Sequence, residues 1–368
     1  MRIALKELLR QPGRFVPVGG ALTLLVVLLV VLGGFLDGLE LGQTGAYRAH
    51  DGDLLAFTED VDLQIQRSRV DAELADAVAA VDGVAEVGQL SQILTTAGTA
   101  AADQDVTGVA VFGYQLATDV IPAPPGGGAA VVDQQLGETL GLQVGDVIEV
   151  GPTAVQVTVD ALVDDLSQGA ATIWLDQGDW RNLVEQANPT ALPPPGVSQA
   201  LVVRPAGDLS EAAGVELANE VTDAVDGVEA ATIPTTIESL DVVQQQSSTF
   251  AGIISVTFAV TLLVVALFFA LITLERTALY AVLKALGART TDLLVGISVQ
   301  AIVISLVALL AGLGLSLAFS AALPPDLPVR LVPTRLAAIA AGTVVTALIG
   351  SLFTLRRILA IDPAEAIG

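Results

Sequence analysis

Two lysines, one histidine and no cysteine set narrow limits on the chemistry open to this 368-residue chain. A nucleotide-binding P-loop needs a lysine after a glycine-rich turn, followed by Ser or Thr, to hold phosphates. Lys6 is followed by Glu7 and Lys284 by Ala285, so the chain does not bind ATP in that way. No HExxH helix and no Gly-x-Ser-x-Gly elbow occurs. Without cysteine, thiol chemistry, disulfides and Cys-based metal sites are excluded. His50 has no constellation around it and is expected at a surface or stalk junction, not as a ligand. Asp164 and Asp165 form a close carboxylate pair, but carboxylates are so numerous that solvated surface outweighs acid–base work. Trp174 and Trp180 flank Asp176 and Asp179. They read either as a sugar or lipid platform or, more often for such pairs, as core plus rim. No catalytic residue and no metal site is assigned, and the chain is not read as an enzyme.

The charged residues with the most informative spacing lie in ERTALYAVLKALGART, Glu275 to Thr290, between two long uncharged hydrophobic runs. Read as a helix, this segment puts Ala278, Val282 and Leu286 on one stripe with Leu279 and Leu283 beside them, while Glu275, Arg276, Lys284 and Arg289 border it with charge. Two readings fit that pattern: a handle gripped by something outside the membrane, or an interfacial helix lying among lipid headgroups.

The elements that hold this segment follow from hydropathy. The chain is 53% apolar and only 15% charged, which excludes disorder and suggests a membrane protein with a soluble portion. A hydrocarbon core about 30 Å thick takes roughly 20 helical residues. Four stretches without a charged residue are long enough: Phe15 to Leu36, Phe250 to Leu274, Leu293 to Leu323 and Leu336 to Leu355. The third exceeds the need and is expected to tilt or project. The first has too long a hydrophobic core for a cleaved signal, and no small-x-small site follows Leu36, so it is expected to be retained.

Basic residues set the orientation. Arg2, Lys6, Arg10 and Arg14 precede the first span, Arg276, Lys284 and Arg289 lie between the second and third, and Arg356 and Arg357 follow the fourth. By the positive-inside rule these face the cytoplasm. The expected layout is a cytoplasmic amphipathic leader at 1–14, spans at 15–36, 250–274, 293–323 and 336–355, and an extracytoplasmic domain at 37–248. A cytoplasmic helix at 275–291, a short external loop at 324–335 and a cytoplasmic tail at 356–368 complete it. Asp37 to Ser248 holds 34 Asp and Glu against five Arg and no Lys, so the net charge of −24 is an exterior property. Such acidity disfavours nucleic acid and bare anionic lipid as partners.

The exterior region, at about 210 residues, is large enough for one or two cores. ELADAVAAVDGVAEVG (Glu73 to Gly88) is echoed by ELANEVTDAVDGVEAAT (Glu216 to Thr232). Each reads as a helix, a Val-Asp-Gly-Val turn and a strand, which predicts two related α+β halves side by side. Between them, Ala129 to Gly151 predicts a strand, a short helix ending near Gly141, a turn at Val144 to Asp146 and a strand from Val147 to Val150. Loops rich in Pro and Gly at 122–128 and 189–196 border an inserted lobe of about 122–205. The first span is expected to continue as a helix to about Ala46, with Gly34, Gly38 and Gly42 four apart on one face.

These residues carry a resemblance to a known family. The chain resembles the permease subunit of an ABC transporter of the FtsX/MacB-like class, also called type VII, over nearly its whole length. The leader IALKELLRQPGRF, the segment ERTALYAVLKALGART and the tail LRRILAIDPAEAIG are similar to family members, and LGLQVGDVIEV resembles the MacB-type periplasmic core domain. Gly33 to Val70 looks like the DevC and haem-exporter HrtB branch. With Met1 the only methionine and His50 the only histidine, haem ligands are scarce, and Tyr47 or an exterior carboxylate would have to serve.

The resemblance implies four transmembrane α-helices plus a large α+β extracytoplasmic domain in the cell membrane, with both termini cytoplasmic. It implies mechanotransmission: a permease homodimer with two copies of a separate ABC ATPase that binds ATP and Mg, the chain itself holding no cofactor. Membrane lipid and an extracytoplasmic accessory protein are further implied partners. The segment at 275–291 becomes the coupling helix, with Glu275 at its start, Leu279, Val282, Leu283 and Leu286 facing the ATPase, Gly287 as the helix stop, and Arg276 and Lys284 as charge partners. The substrate would be hydrophobic or amphipathic, such as a lipid, peptide, drug or haem. The alternative is a signalling transmitter that controls a cell-wall hydrolase or sensor. Phe35, Leu36, Leu39 and Glu40, opposite Phe250, Ile253 and Ile254, bring an apolar wall, aromatic rings and a carboxylate to the outer span ends. That is the pattern of a lateral opening, or else of plain helix packing.

Overall fold

The computed structural model describes residues 13, 15–99, 106–275, 277–286, 289–323, 327 and 329–352. The leader, Arg276, Gly287 and the tail therefore lie outside the described residues. The chain divides into a helical unit, 1–39 with 246–368, and an α/β unit, 40–245.

Among the described residues four helices are long and apolar enough to cross a membrane: α1 (Val16–Arg48), α7 (Asp241–Glu275), α9 (Thr290–Ser320) and α10 (Pro333–Leu352). The helix α8 (Thr277–Ala285) lies between the second and third. Phe15, Val18 and Leu22 of α1 form one core with Val265 and Phe269 of α7, Ile297, Ala301, Ile304 and Ala308 of α9, and Ala347 of α10. A second core joins Val26, Leu29 and Val30 to Ile339. Lipid tails are as apolar as leucine, so close packing and not hydrophobic exclusion must hold such helices together. Of the glycines read as one face, Gly34 does admit a close neighbour. A Cβ there would stand 2.9 Å from the Leu331 side chain, and its carbonyl accepts from Arg330 N–H at 2.8 Å. Gly42 faces open space.

In the α/β unit the echo is structural. The first copy is β1 (Leu54–Thr58), α2 (Ala72–Ala79) and the start of β2 (Val84–Thr99). The second is β8 (Ala200–Pro205), α5 (Glu211–Ala224) and β9 (Val228–Thr232). The strands pair antiparallel in the order β9-β1-β8-β2, a βαββαβ arrangement. Both Val-Asp-Gly-Val turns place glycine in the left-handed region, Gly83 at φ 89° and Gly227 at φ 85°, a backbone conformation that strains any residue with a Cβ. Strand alternation sends Leu54 and Ala56 to the helix-covered face with Val78, Leu217 and Val221. Leu55 and Phe57 go to the opposite core, with Ala46 and Tyr47 of α1.

The rest of the unit is a closed barrel. Its strands are the far part of β2, β3 (Thr107–Tyr114), β4 (Ala129–Asp133), β5 (Val147–Val150), β6 (Val155–Val163) and β7 (Ala171–Asp176). Pairing runs β2-β3-β7-β4-β6-β5 and back to β2. The short helix between β4 and β5 is α3 (Gln134–Leu140), capped by Gly141 at φ 67°. After β7 comes α4 (Gln177–Ala187), and after β9 comes α6 (Ile233–Ser239). The expected insert of about 122–205 differs from this in two ways. The barrel also takes β3 and half of β2, while β8 pairs with β1 and β2 in the βαββαβ half. A 16-residue strand with no turn residue at its middle hides that change of partners.

Both tryptophans are core, so neither forms a ligand platform. Trp174 is fully buried, stacked on Phe112 at 4.3 Å and edge-on to Tyr114 at 5.5 Å. Trp180 is buried, and its indole donates to Val111 O at 3.0 Å.

Candidate functional site

The apolar residues expected on one stripe of α8 divide between its two sides. Leu279, Val282 and Leu286 are exposed, Leu286 at 79%, and spacings of three and four keep them on one face. Leu283 departs from the expected role. It is half-buried against the bundle core together with Leu293, and Ala281 is buried. The sequence stripe could not separate the two sides, because apolar residues here serve both the bundle and the outward face. Glu275 is exposed and Lys284 half-buried, and each makes a polar interaction.

At the far ends of α1 and α7, Phe35 and Phe250 are brought together, ring centroids 6.1 Å apart and tilted by 40°. Leu36 is buried and Leu39 half-buried. Ile254 packs on the core of Val26, Leu29 and Val30, whereas Ile253 is exposed. Glu40, half-buried, belongs to the α/β unit and has a polar partner. The aromatic contact is thus present, and Ile254 serves packing.

Beside these residues is an ion pair that sequence reasoning missed. Asp37, buried on α1, accepts a hydrogen bond from Arg335 Nε in the first turn of α10. A cation at a helix N-terminus opposes the macrodipole, and the carboxylate opposite compensates. Opposite charges at the same end of two spans were the available signal.

The end of α1 is locked by the loop between β6 and β7. Arg48 donates from Nη1 to Asp165 Oδ2 at 2.7 Å and from Nη2 to Asp165 Oδ1 at 2.9 Å. The same side chain reaches back to Thr44 Oγ1 at 3.2 Å and Leu41 O at 3.0 Å. Gly45 N–H donates to Ser167 O at 2.9 Å, and Gly169 N–H donates to Gly42 O at 3.0 Å. A Cβ on residue 45 would stand 2.9 Å from Ser167 N, so the loop needs glycine there.

Directly after this clamp, His50 is fully buried at the foot of α1, not at a surface, with its ring 5.9 Å from Trp174. Neither ring nitrogen has a hydrogen-bond partner among the described residues. Burial, aided by the Arg204 charge, pushes its pKa down to about 4. Arg204 itself grips Asp53 at 3.1 and 3.2 Å. Burial still raises the Asp53 carboxyl above its ordinary value, against the pull of that arginine. Tyr47 is 2% exposed and burial raises its phenol, so it does not offer a haem ligand in this state. Among the described residues no three His, Cys, Asp or Glu side chains converge as a metal site.

Parts of the chain are similar to known proteins. Residues 251–363 match the FtsX-like permease C-terminal family. A protein named hemin transport system permease protein HrtB, from Staphylococcus haemolyticus (strain JCSC1435), is 29% identical over 30% of this chain and 32% of its own length. An uncharacterized ABC transporter permease of Mycobacterium bovis (strain ATCC BAA-935 / AF2122/97) is 40% identical over 26% of this chain and 27% of its own. The chain thus spans about a third or less of the length of these relatives. Among solved structures, the extracellular domain of the noncanonic ABC-type transporter YknZ from Gram-positive bacteria aligns over 49% of this chain and 98% of its own, with 16% identity and a TM-score of 0.32. The periplasmic region of MacB from Actinobacillus actinomycetemcomitans aligns over 50% and 90%, with 9% identity and a TM-score of 0.35.

Proposed function

We propose, from the premise that residues 251–363 form an FtsX-like permease C-terminal domain, that this chain is the permease subunit of an ATP-driven ABC transporter. It moves a hydrophobic or amphipathic substrate by mechanotransmission from a separate ATPase. The observation that carries this reading is α1, a helix unbroken from Val16 to Arg48 whose last turns are clamped by Arg48, Gly45 and Gly42 to the loop at 165–169. A stiff helix with a fixed end can pass a displacement along its axis. The uncharged spans supply no ionisable relay of the kind that proton-coupled carriers use.

In this reading α8 is the coupling helix, and Leu279, Val282 and Leu286 form its ATPase contact. ATP and Mg are bound by that partner, in two copies beneath a permease homodimer. The basic segments and both termini are cytoplasmic, and the α/β domain is outside the cell membrane. Phe35 and Phe250 border the route by which substrate enters from the outer leaflet.

Leu286→Asp tests the reading, since a charge buried without a partner at a docking surface typically costs a few kcal/mol. The variant should insert and fold normally yet fail to retain the ATPase on copurification. Normal retention and normal ATP-driven substrate movement by Leu286→Asp would remove α8 as the coupling element.

A further inference from the structure

The α/β unit carries 33 of the 40 acidic residues of the chain, yet one of its cavities is lined by neutral amides. This cavity, of about 240 Å³, is walled by Gln43, Gln64, Gln66, Gln92 and Gln168 together with Leu94, and closed by the segment Leu240 to Val242. Among the described residues Asp241 is the one ionisable group in its lining. The glutamines come from α1, from the loop after β1, from β2 and from the loop after β6, so four separate parts of the chain converge on one amide surface.

Three of them form a directed chain. Gln66 Nε2 donates to Gln92 Oε1 at 3.1 Å, and Gln92 Nε2 donates to Gln168 Oε1 at 2.6 Å. An amide has one acceptor oxygen and two donor hydrogens. The chain therefore starts on a carbonyl oxygen at Gln66 and ends on an N–H at Gln168. Reversing every amide exchanges the ends and keeps one acceptor and one donor. One acceptor and one donor of this kind suit the N–H and C=O groups of a peptide backbone.

The strand behind the glutamines offers the same pair of groups from its backbone. On the side away from β3, β2 pairs with β8 only as far as Leu90 and with β5 only from Ala97. Among the described residues no strand pairs with 91–96 on that side. Gln92 N–H points into the gap, where the Gln199 side chain accepts it, and Thr96 O accepts from Gly151 N–H at its far end. Strand alternation then directs both the N–H and the C=O of Leu94 into the same gap. Leu94 is 66% exposed. An unpaired strand segment is a template for one more strand.

We propose that this gap in β2, with its glutamine wall, is a docking site for an extended, uncharged peptide segment, which pairs with Leu94 as an added strand and hydrogen-bonds the amides of Gln66 and Gln168. The occupant is uncharged because the lining supplies no cation for an acidic side chain and sets a single carboxylate, Asp241 on its closing segment, against five neutral amides. The cavity is smaller than the roughly 300–1,000 Å³ of pockets for drug-sized ligands, as suits a few residues of a chain lying across it. This site is distinct from the span ends and does not depend on the transport reading, because binding is measured without ATP or a partner.

The test is fluorescence anisotropy of a fluorescein-labelled hexapeptide of Ser, Thr and Ala, with capped ends, titrated with the full chain in nanodiscs. Saturable binding is expected. Leu94→Pro removes the gap-facing N–H but no ladder bond to β3, and should weaken binding about fivefold, the equivalent of one hydrogen bond. The double variant Gln66→Ala/Gln168→Ala alters side chains only, and should weaken it at least as much even if Leu94→Pro fails to fold. Placing two Glu residues in the probe should also weaken binding. The proposal is overturned if the neutral probe shows no saturable binding, if the glutamine double variant binds like the parent, or if maltohexaose displaces the probe at equal concentration.

Discussion

Arg48 and Asp165, 117 residues apart, close a two-bond fork at 2.7 and 2.9 Å between the last turn of α1 and the loop after β6. A planar guanidinium matched to both carboxylate oxygens fixes direction as well as distance. The pair is partly exposed, with side chains 30% and 45% accessible, so its contribution to stability is about 1 kcal/mol. Its greater consequence is geometric. Arg48→Ala should lower the melting temperature only slightly in detergent, yet reduce the coupling of ATP hydrolysis to substrate movement. A double-mutant cycle with Asp165→Asn should return a coupling energy near that value. Additive effects of the two substitutions would show that the fork is incidental.

The Asp37–Arg335 pair predicts a larger stability effect. Asp37 is buried while Arg335 is 31% exposed and holds a further interaction, so losing the charged hydrogen bond costs about 1.5–3 kcal/mol. Asp37→Ala should therefore lower thermal stability markedly. Asp37→Ala/Arg335→Leu should recover much of the loss, because apolar replacement of both members is often neutral. If the double variant melts no higher than the single, the loss comes from packing against Gly33, which Arg335 also touches, and not from charge.

His50 predicts an acid sensitivity whose sign is fixed. Its pKa falls from an ordinary 6.5 to about 4 in the folded chain, so between these values the unfolded chain binds the proton and the folded chain does not. Its influence on stability is absent above pH 6.5, becomes unfavourable as pH falls through that value, and reaches its full extent below about 4. The full penalty is roughly 3 kcal/mol. Asp53, raised by burial, acts in the opposite sense over its own range. His50→Phe fills the same buried space beside Trp174 without a titrating group. It should match or exceed the parent in melting temperature at pH 7.5, and the gap should widen at pH 5. A gap that stays constant with pH would assign the effect to packing.

The four spans, α8 and the strand–helix–strand echo were legible because each rests on a local pattern: an uncharged run, a charged amphipathic interval, a Val-Asp-Gly-Val turn. The strand, helix and turn from Ala129 to Val150 were equally local, ended by Gly141 and Gly145 at positive φ. What escaped was long-range. Nothing in the residues of β2 tells that its two ends pair with different strands, or that Gln92 and Gln168 meet across 76 positions. The side of α8 to which Leu283 turns is set by the bundle, not by spacing. Trp174 was open to a platform reading as well as to core plus rim, and His50 to a surface or a stalk junction; the fold buries both, side by side below the end of α1.

The aromatic contact at the ends of α1 and α7 separates a substrate opening from mere packing. Phe35 and Phe250 are both half-buried, and Ile253 beside Phe250 is exposed at 46%, so this corner holds apolar surface without being sealed. Were the pair only packing, Phe250→Ala would cost stability in proportion to the lost contact, and Phe250→Leu would restore most of it along with activity. Were it a substrate wall, Phe250→Leu would keep stability while substrate-stimulated ATPase activity fell several-fold and basal hydrolysis stayed unchanged. The second pattern is expected. Glu40→Ala, at the next turns of α1, should show the same split between stimulated and basal rates. Parent-like stimulation in both variants would move the substrate site away from these span ends.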